Sequence, residues 1–159
     1  MKQKSDYSKK SYERGKLRAL YILGKSDKTE SEIRTKLKKN EYTDDIIDKI
    51  ILFLKEYGYV DDQKFAFNYV SEKSNYKSLM QIRSALILKG VSVSFIEEAF
   101  LENNNDQSDL IRKLVEKKKI EWETADKFQI QKLYSYLCRK GFKSSEIISI
   151  IREFQGDIK

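Results

Sequence analysis

The sequence contains no histidine and no proline, and its single cysteine is Cys138. Histidine is the usual general base, proton shuttle and metal ligand, so its absence excludes Ser-His-Asp and Cys-His nucleophiles. One cysteine excludes an intramolecular disulfide and, without histidine, a typical zinc site. Because proline breaks helix interiors, its absence is typical of a chain that is mostly helical.

Glycine-rich phosphate loops and long apolar runs are also missing. The six glycines are scattered along the chain and form no phosphate-binding loop. No segment approaches the roughly 20 apolar residues that a membrane span needs. The first 18 residues are charged and hold no apolar signal region. We therefore expect a cytoplasmic protein, outside the membrane, that is not an enzyme and needs no metal or cofactor.

Charge is plentiful and unevenly distributed. The net charge of +7 divides into +5 over residues 1–60, −1 over residues 61–102 and +3 over residues 103–159. A basic excess fits a nucleic-acid or nucleoprotein partner, whereas mixed signs also fit a solvated helical surface. The aromatic residues fall mostly on apolar helix faces, which favours a role in the core over base stacking.

Two pairs of carboxylates are the remaining candidates for chemistry. Asp61 and Asp62 could hold Mg²⁺, since hard cations take carboxylate ligands. We favour a helix N-cap at Asp61, with Asp62 stabilised by the helix dipole. Asp44 and Asp45, which follow Thr43, have the same interpretation.

Three segments of about fifty residues share one pattern. Each has a leucine, preceded four positions earlier by an apolar residue and followed ten positions later by an isoleucine. The leucines are Leu37, Leu86 and Leu137, and the isoleucines are Ile47, Ile96 and Ile147. A repeat of this length accommodates three helices.

Helix boundaries follow from capping signals. Capping boxes occupy residues 29–32, 78–81 and 126–129. The third box lies three residues before the shared register, so we expect that helix to be about one turn longer. Glycines that suit a left-handed position after a helix are Gly24, Gly58, Gly90 and Gly141. The asparagine run at residues 103–105 closes the second repeat.

Apolar residues recur at helical spacing throughout, and strict alternation is absent. In the first helix the apolar face predicted in this way consists of Leu17, Leu20 and Tyr21. The sequence thus predicts an all-α fold of three tandem three-helix repeats forming an elongated, curved array. A flexible basic tail at residues 1–13 precedes repeats at residues 14–60, 61–105 and 106–156.

Four segments together resemble one known family. Residues 57–66 resemble the RecX-family signature, a Gly-Tyr-aliphatic-Asp-Asp run followed by Phe-Ala. Residues 29–37 and 82–91 are similar to the family's first and second repeats, and residues 133–142 to the end of its third repeat. Asn40-Glu41 departs from the Lys-Gly of the two later repeats.

The resemblance implies a regulator of the RecA recombinase, acting in DNA recombination, DNA repair and the SOS response. Members of this family lodge in the groove of the RecA–DNA filament. They restrain its growth, and with it strand exchange, ATP hydrolysis and coprotease activity, although promotion is conceivable for some. They have no catalytic residues and no cofactor. The implied partner is RecA in its nucleoprotein filament. Weak direct binding to single- or double-stranded DNA is conceivable, and a monomer is expected.

Basic residues that recur along the repeats are our candidates for contact with the filament. They are Arg34, Lys38, Arg83, Lys89, Arg139 and Lys140. For Lys89, Arg139 and Lys140 we favour helix capping over phosphate contact. A different class of protein, a direct DNA-binding module resembling a helix-turn-helix, remains the alternative function. Its presumed recognition segment at residues 92–98 is acidic, which disfavours it. A generic helical scaffold that binds neither DNA nor RecA is a third class.

Overall fold

The fold is all-α, as predicted. The computed structural model describes residues 1–156, and over this range it contains nine α-helices and no β-strand. The helices are α1 (Lys2–Leu23), α2 (Glu30–Lys39), α3 (Asp44–Glu56), α4 (Asp62–Lys73), α5 (Leu79–Leu88), α6 (Val93–Glu102), α7 (Ser108–Lys117), α8 (Lys127–Lys140) and α9 (Ser144–Gln155). The expected longer helix in the third repeat is confirmed, because α8 has 14 residues and α2 and α5 have 10 each.

The helices form two compact units. The first unit contains residues 1–67 and 86–97, and the second contains residues 68–85 together with the described residues from 98 onward. Helices of the middle repeat contribute to both units. Their buried side chains have the predicted helical spacing and are Ala66, Val70, Ile82, Leu86, Ile96, Ala99 and Phe100.

The first unit buries the facing sides of α1, α2 and α3. The predicted repeat residues Leu37 and Ile47 are 0% and 2% exposed. Around them lie Ala19, Ile22, Ile33, Ile46, Ile50, Ile51, Leu54 and Val60. Most are β-branched or leucine side chains at i, i+3 and i+4 spacing, so one stripe of each helix faces the core.

The predicted apolar face of α1 is wrong for Leu17 and Tyr21, whereas Leu20 is partly buried against the core. Leu17 and Tyr21 are exposed, and the buried face instead carries Gly15, Ala19 and Ile22. Small residues allow α3 to approach closely, since a Cβ added at Gly15 would lie 2.5 Å from Ile50 Cδ1. Glycine and alanine add little hydrophobic signal, so their spacing does not reveal the buried face from the sequence.

The basic segment at the start of the chain is helical and continuous with α1. Helix α1 begins at Lys2, whereas a flexible arm was predicted for residues 1–13. Only Ser8, Ser11 and Tyr12 within this segment are partly buried. An i,i+4 ion pair between Lys10 and Asp6 (3.5 Å) lies on its exposed face.

The second unit contains the core of the third repeat. Helix α9 packs against both α7 and α8, and Leu137 and Ile147 are fully buried at the positions that the repeat pattern predicts. The remaining buried members are Leu110, Ile111, Val115, Leu133, Phe142, Ile150 and Ile151. Trp122 stacks on Phe154 at 5.3 Å between ring centroids, at the edge of this core.

Three of the four glycines predicted to follow a helix in the left-handed conformation do so. Gly58, Gly90 and Gly141 have φ of +72°, +79° and +96°. Gly24 was predicted to do the same, but its φ is −64°, because the chain continues from α1 into a right-handed turn. In the first repeat the left-handed position after the middle helix is held by Glu41, at φ +65°.

Candidate partner-binding surface

The N-terminus of α2 is tied to the end of a helix in the following repeat. Thr29 caps α2: its hydroxyl accepts from the amide of Glu32 (3.2 Å), and Glu32 Oε2 accepts from the amide of Thr29 (3.0 Å). The same hydroxyl donates to the carbonyl of Lys89 at 2.6 Å. Thr29 is 0% exposed, so its hydroxyl acts as both hydrogen-bond donor and acceptor without contact with water.

The same arrangement recurs at the N-terminus of α5. The Ser78 hydroxyl accepts from the amide of Gln81 (3.2 Å), Gln81 Oε1 accepts from the amide of Ser78 (3.1 Å), and the hydroxyl donates to the carbonyl of Lys140. Ser78 is also 0% exposed. We call these two arrangements the joints of the repeat array. The capping boxes predicted at residues 29–32 and 78–81 are thus confirmed, and the contact with the next repeat is additional.

Each joint is completed by the start of another helix. Asp62 Oδ1 accepts from the amide of Glu30 (2.9 Å), and Gln107 Oε1 accepts from the amide of Leu79 (3.0 Å). Gln107 Nε2 also donates to the carbonyl of Lys77 (2.9 Å). Burial raises the pKa of Asp62, and the neighbouring Glu30 carboxylate adds to that effect. These side chains satisfy helix N-terminal amides that would otherwise lack partners.

The glycines after α5 and α8 allow close contact at the joints. A Cβ at Gly90 would collide with Ser31, and one at Gly141 would lie 2.6 Å from Met80 Cε. Ser31 and Met80 each lie two residues after the capping residue. Glycine is therefore required at both positions for its left-handed backbone and for space.

Lys89 lies in the first joint and forms an ion pair there. Its Nζ is 2.9 Å from Glu32 Oε1 and 5.8 Å from the centroid of the Phe65 ring. Burial alone would raise the pKa of Glu32, but hydrogen bonds from Lys89 and the Thr29 amide outweigh it, so the pKa lies below its usual value. The Lys89 side chain is therefore engaged within the fold at this joint.

Arg34 and Lys38, both on α2, differ in how they are held. Arg34 pairs with Asp48 (2.6 Å) and Glu30 (3.0 Å), and its pKa is raised by the hydrogen bond to Asp48, despite partial burial. Lys38 is 73% exposed, and its Nζ lies 3.7 Å from the carboxylate of Asp44, which is 80% exposed. Lys38 therefore has its charge available at the surface, whereas Arg34 is engaged within its own repeat.

The other three predicted residues all belong to the second unit, and Arg139 and Lys140 lie at the end of α8. Arg83, at the position equivalent to Arg34, lies over the Phe100 ring at 5.0 Å. Arg139 is exposed, and Lys140 is partly buried with its Nζ 5.3 Å from the Tyr136 ring centroid. The carbonyl of Lys140 belongs to the second joint. The structure thus distributes the six residues over both units.

A basic concave surface that the sequence did not reveal lies on the third repeat. It has a volume of about 380 Å³ and is lined by Lys118, Ile120, Gln129, Lys132, Leu133, Tyr136 and Arg139. Lys118 belongs to a lysine cluster that is visible in the sequence. Tyr136 is partly buried against the core of the third repeat and also lines this surface. We refer to it as the third-repeat pocket.

Residues 1–156 hold no group of three or more His, Cys, Asp or Glu side chains suited to a metal ion. Asp61 acts as the predicted helix cap, accepting from the amide of Lys64 at 3.0 Å. A Gly-Lys-Ser run occurs at residues 24–26, but it follows the end of α1 and opens no helix. Of the helices in the described range, none has the length and apolarity to cross a membrane.

Tandem three-helix units with recurring joints define a helical-repeat protein, whose binding surfaces are built from recurring positions. Two family models match it, described as the first three-helix domain of RecX (residues 16–54) and the third three-helix domain of RecX (residues 105–151). A regulatory protein RecX from Clostridium acetobutylicum is 37% identical over 90% of this chain and 70% of its own length. A regulatory protein RecX from Clostridium perfringens is 35% identical over 87% of this chain and 68% of its own length.

Solved structures show the same likeness. The crystal structure of RecX from Lactobacillus salivarius matches with a TM-score of 0.83 and 26% identity, covering 94% of this chain and 99% of that one. A second crystal structure of regulatory protein RecX matches with a TM-score of 0.78 and 27% identity, covering 95% and 74%. The chain belongs to the RecX family of regulatory proteins.

Proposed function

We propose that this protein binds the RecA–DNA filament and modulates RecA, mainly by inhibiting its recombinase, ATPase and coprotease activities. Membership of the RecX family along most of the chain carries this proposal. The likeness extends through all three repeats rather than through one short motif. A long polymeric partner suits a protein that repeats one structural unit, because several weak contacts combine into strong binding.

The distribution of charge supports a polyanionic filament as the partner. The basic excess lies in residues 1–60 and 103–159, and Lys38 and Arg139 present exposed cations there. Cationic surfaces speed the encounter with a negatively charged partner and make it dependent on salt. We propose Lys38 and Arg139 as the principal contacts among the six candidates, with Arg34 and Lys89 acting mainly within the fold.

The charge of α6 disfavours the alternative of a sequence-reading DNA module. Helix α6 follows the glycine turn of the middle repeat, where a recognition helix would lie. It carries Glu97, Glu98 and Glu102 and no lysine or arginine. Such a helix would be repelled by the phosphates that line a DNA groove.

Co-sedimentation with preformed filaments tests the proposal against this alternative. RecA is assembled on long single-stranded DNA with a non-hydrolysable ATP analogue, and the protein is added before centrifugation. We expect the protein to pellet with filaments in a saturable manner, and to remain mostly in the supernatant with free RecA. Equal retention by bare duplex DNA at physiological salt, with no gain from RecA, would contradict the proposal and favour the DNA module.

A further inference from the structure

The third-repeat pocket gathers cations around an aromatic ring. Lys118 Nζ lies 3.9 Å from the centroid of the Tyr136 ring, and Lys140 Nζ lies 5.3 Å from it. Lys132 and Arg139 line the same surface, and no carboxylate is among the lining residues. Within the described part of the chain, no ion pair joins Lys118, Lys132 or Arg139 to an acidic side chain.

This lack of pairing distinguishes the pocket from three other basic positions of the chain. Arg34, Lys89 and Arg112 all form ion pairs with carboxylates. Arg112 donates hydrogen bonds of 2.8 Å to both carboxylate oxygens of Glu153. Cations brought together without a counter-charge repel one another. The repulsion within such a cluster is reduced when an anion binds between the cations.

One face of α8 builds most of the pocket. Five pocket residues follow each other at intervals of one or three along this helix, so their side chains lie on one side: Gln129, Lys132, Leu133, Tyr136 and Arg139. Leu133 is buried in the core of the third repeat, which fixes the helix beneath the pocket. The wall is therefore part cationic and part apolar, and its backbone is held by a packed core.

We propose that the third-repeat pocket binds a segment of a single nucleic acid strand, with phosphates held by Lys118, Lys132 and Arg139 and a base placed against Tyr136 and Ile120. Single strands are bound by cations that follow the backbone and by aromatic or apolar walls for unstacked bases. An anion without a base would use the cations and leave the apolar wall unused. A duplex keeps its bases stacked inside, away from such a wall. This inference goes beyond the proposed function, because the pocket needs no RecA.

Fluorescence anisotropy of a labelled oligothymidylate of about ten nucleotides, without RecA, tests the proposal. The pocket variant carries Lys132→Gln and Arg139→Gln, both at exposed positions of α8. The control variant carries Lys113→Gln and Lys117→Gln on α7, outside the pocket, and loses the same charge. We expect the pocket variant to lose about tenfold in affinity and the control about twofold or less.

Salt dependence and the tyrosine provide separate measurements. Loss of two phosphate contacts would reduce the slope of log affinity against log salt by about 1.4 for a single strand. Tyr136→Leu keeps an apolar side chain but removes the ring, and we expect it to weaken oligothymidylate binding about tenfold. The same variant would leave binding of inorganic tripolyphosphate unchanged. Thermal unfolding of each variant confirms that the third repeat remains folded.

Three results would overturn the proposal. Equal losses in the pocket and control variants would show that net charge alone governs binding. Equal competition by polyglutamate of the same charge would identify an acidic peptide as the ligand. Duplex DNA bound as tightly as the single strand would exclude a role for unstacked bases. Because RecA is absent from all of these measurements, their outcome is independent of filament binding.

Discussion

The hydroxyl of Thr29 donates a 2.6 Å hydrogen bond to the carbonyl of Lys89, 60 residues further along the chain. The same hydroxyl caps α2. Ser78 and Lys140 repeat the relationship 62 residues apart. One buried side chain thus satisfies the N-terminus of a helix in one repeat and the C-terminus of a helix in the next, which makes the capping residue a structural link between repeats.

Replacing Thr29 by valine tests this double role. Valine matches threonine in shape but neither accepts from Glu32 nor donates to Lys89. We expect a loss of about 2 to 3 kcal/mol in the free energy of unfolding, combining the lost cap and the unpaired carbonyl. Urea denaturation followed by circular dichroism measures the change.

Thr29→Ser is the matched control, since serine is the residue that performs this role at position 78. It keeps the hydroxyl and removes one methyl group, and we expect a loss of about 1 kcal/mol or less. If valine and serine destabilised the protein equally, the hydroxyl would have no special role in the joint.

Glu41 occupies a left-handed position that glycine occupies in the two other repeats, with φ of +65°. A residue with a Cβ is strained there, so we expect Glu41→Gly to stabilise the protein by about 1 kcal/mol. Glu41→Ala removes the same carboxylate but keeps the Cβ, and should give no such gain. A thermal melting temperature raised equally by both variants would attribute the effect to the charge instead of the backbone.

Glu32 makes the first joint sensitive to acid. Burial acts to raise the pKa of Glu32, but the hydrogen bonds from Lys89 and the Thr29 amide lower it by more, so the folded pKa lies below its ordinary value of 4.5. A lowered folded pKa gives stability that is fully present above the unfolded pKa and lost as the pH falls through the folded one. Glu32→Gln should therefore be less stable than the unmodified protein at pH 7, by a few tenths to about 1 kcal/mol.

The difference between these two proteins should shrink as the pH falls below about 4.5. Taking the difference removes the contribution of Asp62, whose raised pKa acts with the opposite sign. Glutamine keeps the capping box, as Gln81 does in the second repeat. A stability difference that stayed constant from pH 7 to pH 3 would show that the Glu32 charge contributes nothing at this joint.

Local signals predicted most of the fold because each is carried by neighbouring residues. The capping boxes at residues 29–32, 78–81 and 126–129 all form. The buried leucine and isoleucine of each repeat lie where the spacing places them. The face of α1 was missed because Gly15 and Ala19 contact the core through their small size, which carries no hydrophobic signal. The double role of Thr29 was missed because Lys89 lies 60 residues away.

The candidate surface was predicted less completely, because charge counts do not show which charges are paired. Arg34 and Lys38 both lie on α2, yet Arg34 pairs with Asp48 and Glu30, whereas Lys38 is 73% exposed. Tyr136 packs against the core of the third repeat and also lines the third-repeat pocket. These differences arise from neighbours on other helices, which one sequence does not identify.

Lys38 and Arg34 offer a test of which basic residues contact the filament. Lys38 is 73% exposed, so Lys38→Gln should leave the melting temperature unchanged and weaken co-sedimentation with RecA filaments. Arg34→Gln removes pairs with Asp48 and Glu30 and should lower stability by a few tenths to about 1 kcal/mol. Unchanged filament binding by Lys38→Gln would remove this residue from the proposed surface.

RecA ATP hydrolysis on single-stranded DNA, titrated with this protein, tests the proposed function most directly. RecA and DNA concentrations are fixed, the protein is varied from far below to above the RecA concentration, and heat-unfolded protein serves as the control. The proposal predicts that hydrolysis falls in a saturable manner as the folded protein is added. An ATPase rate unchanged at every ratio would contradict it.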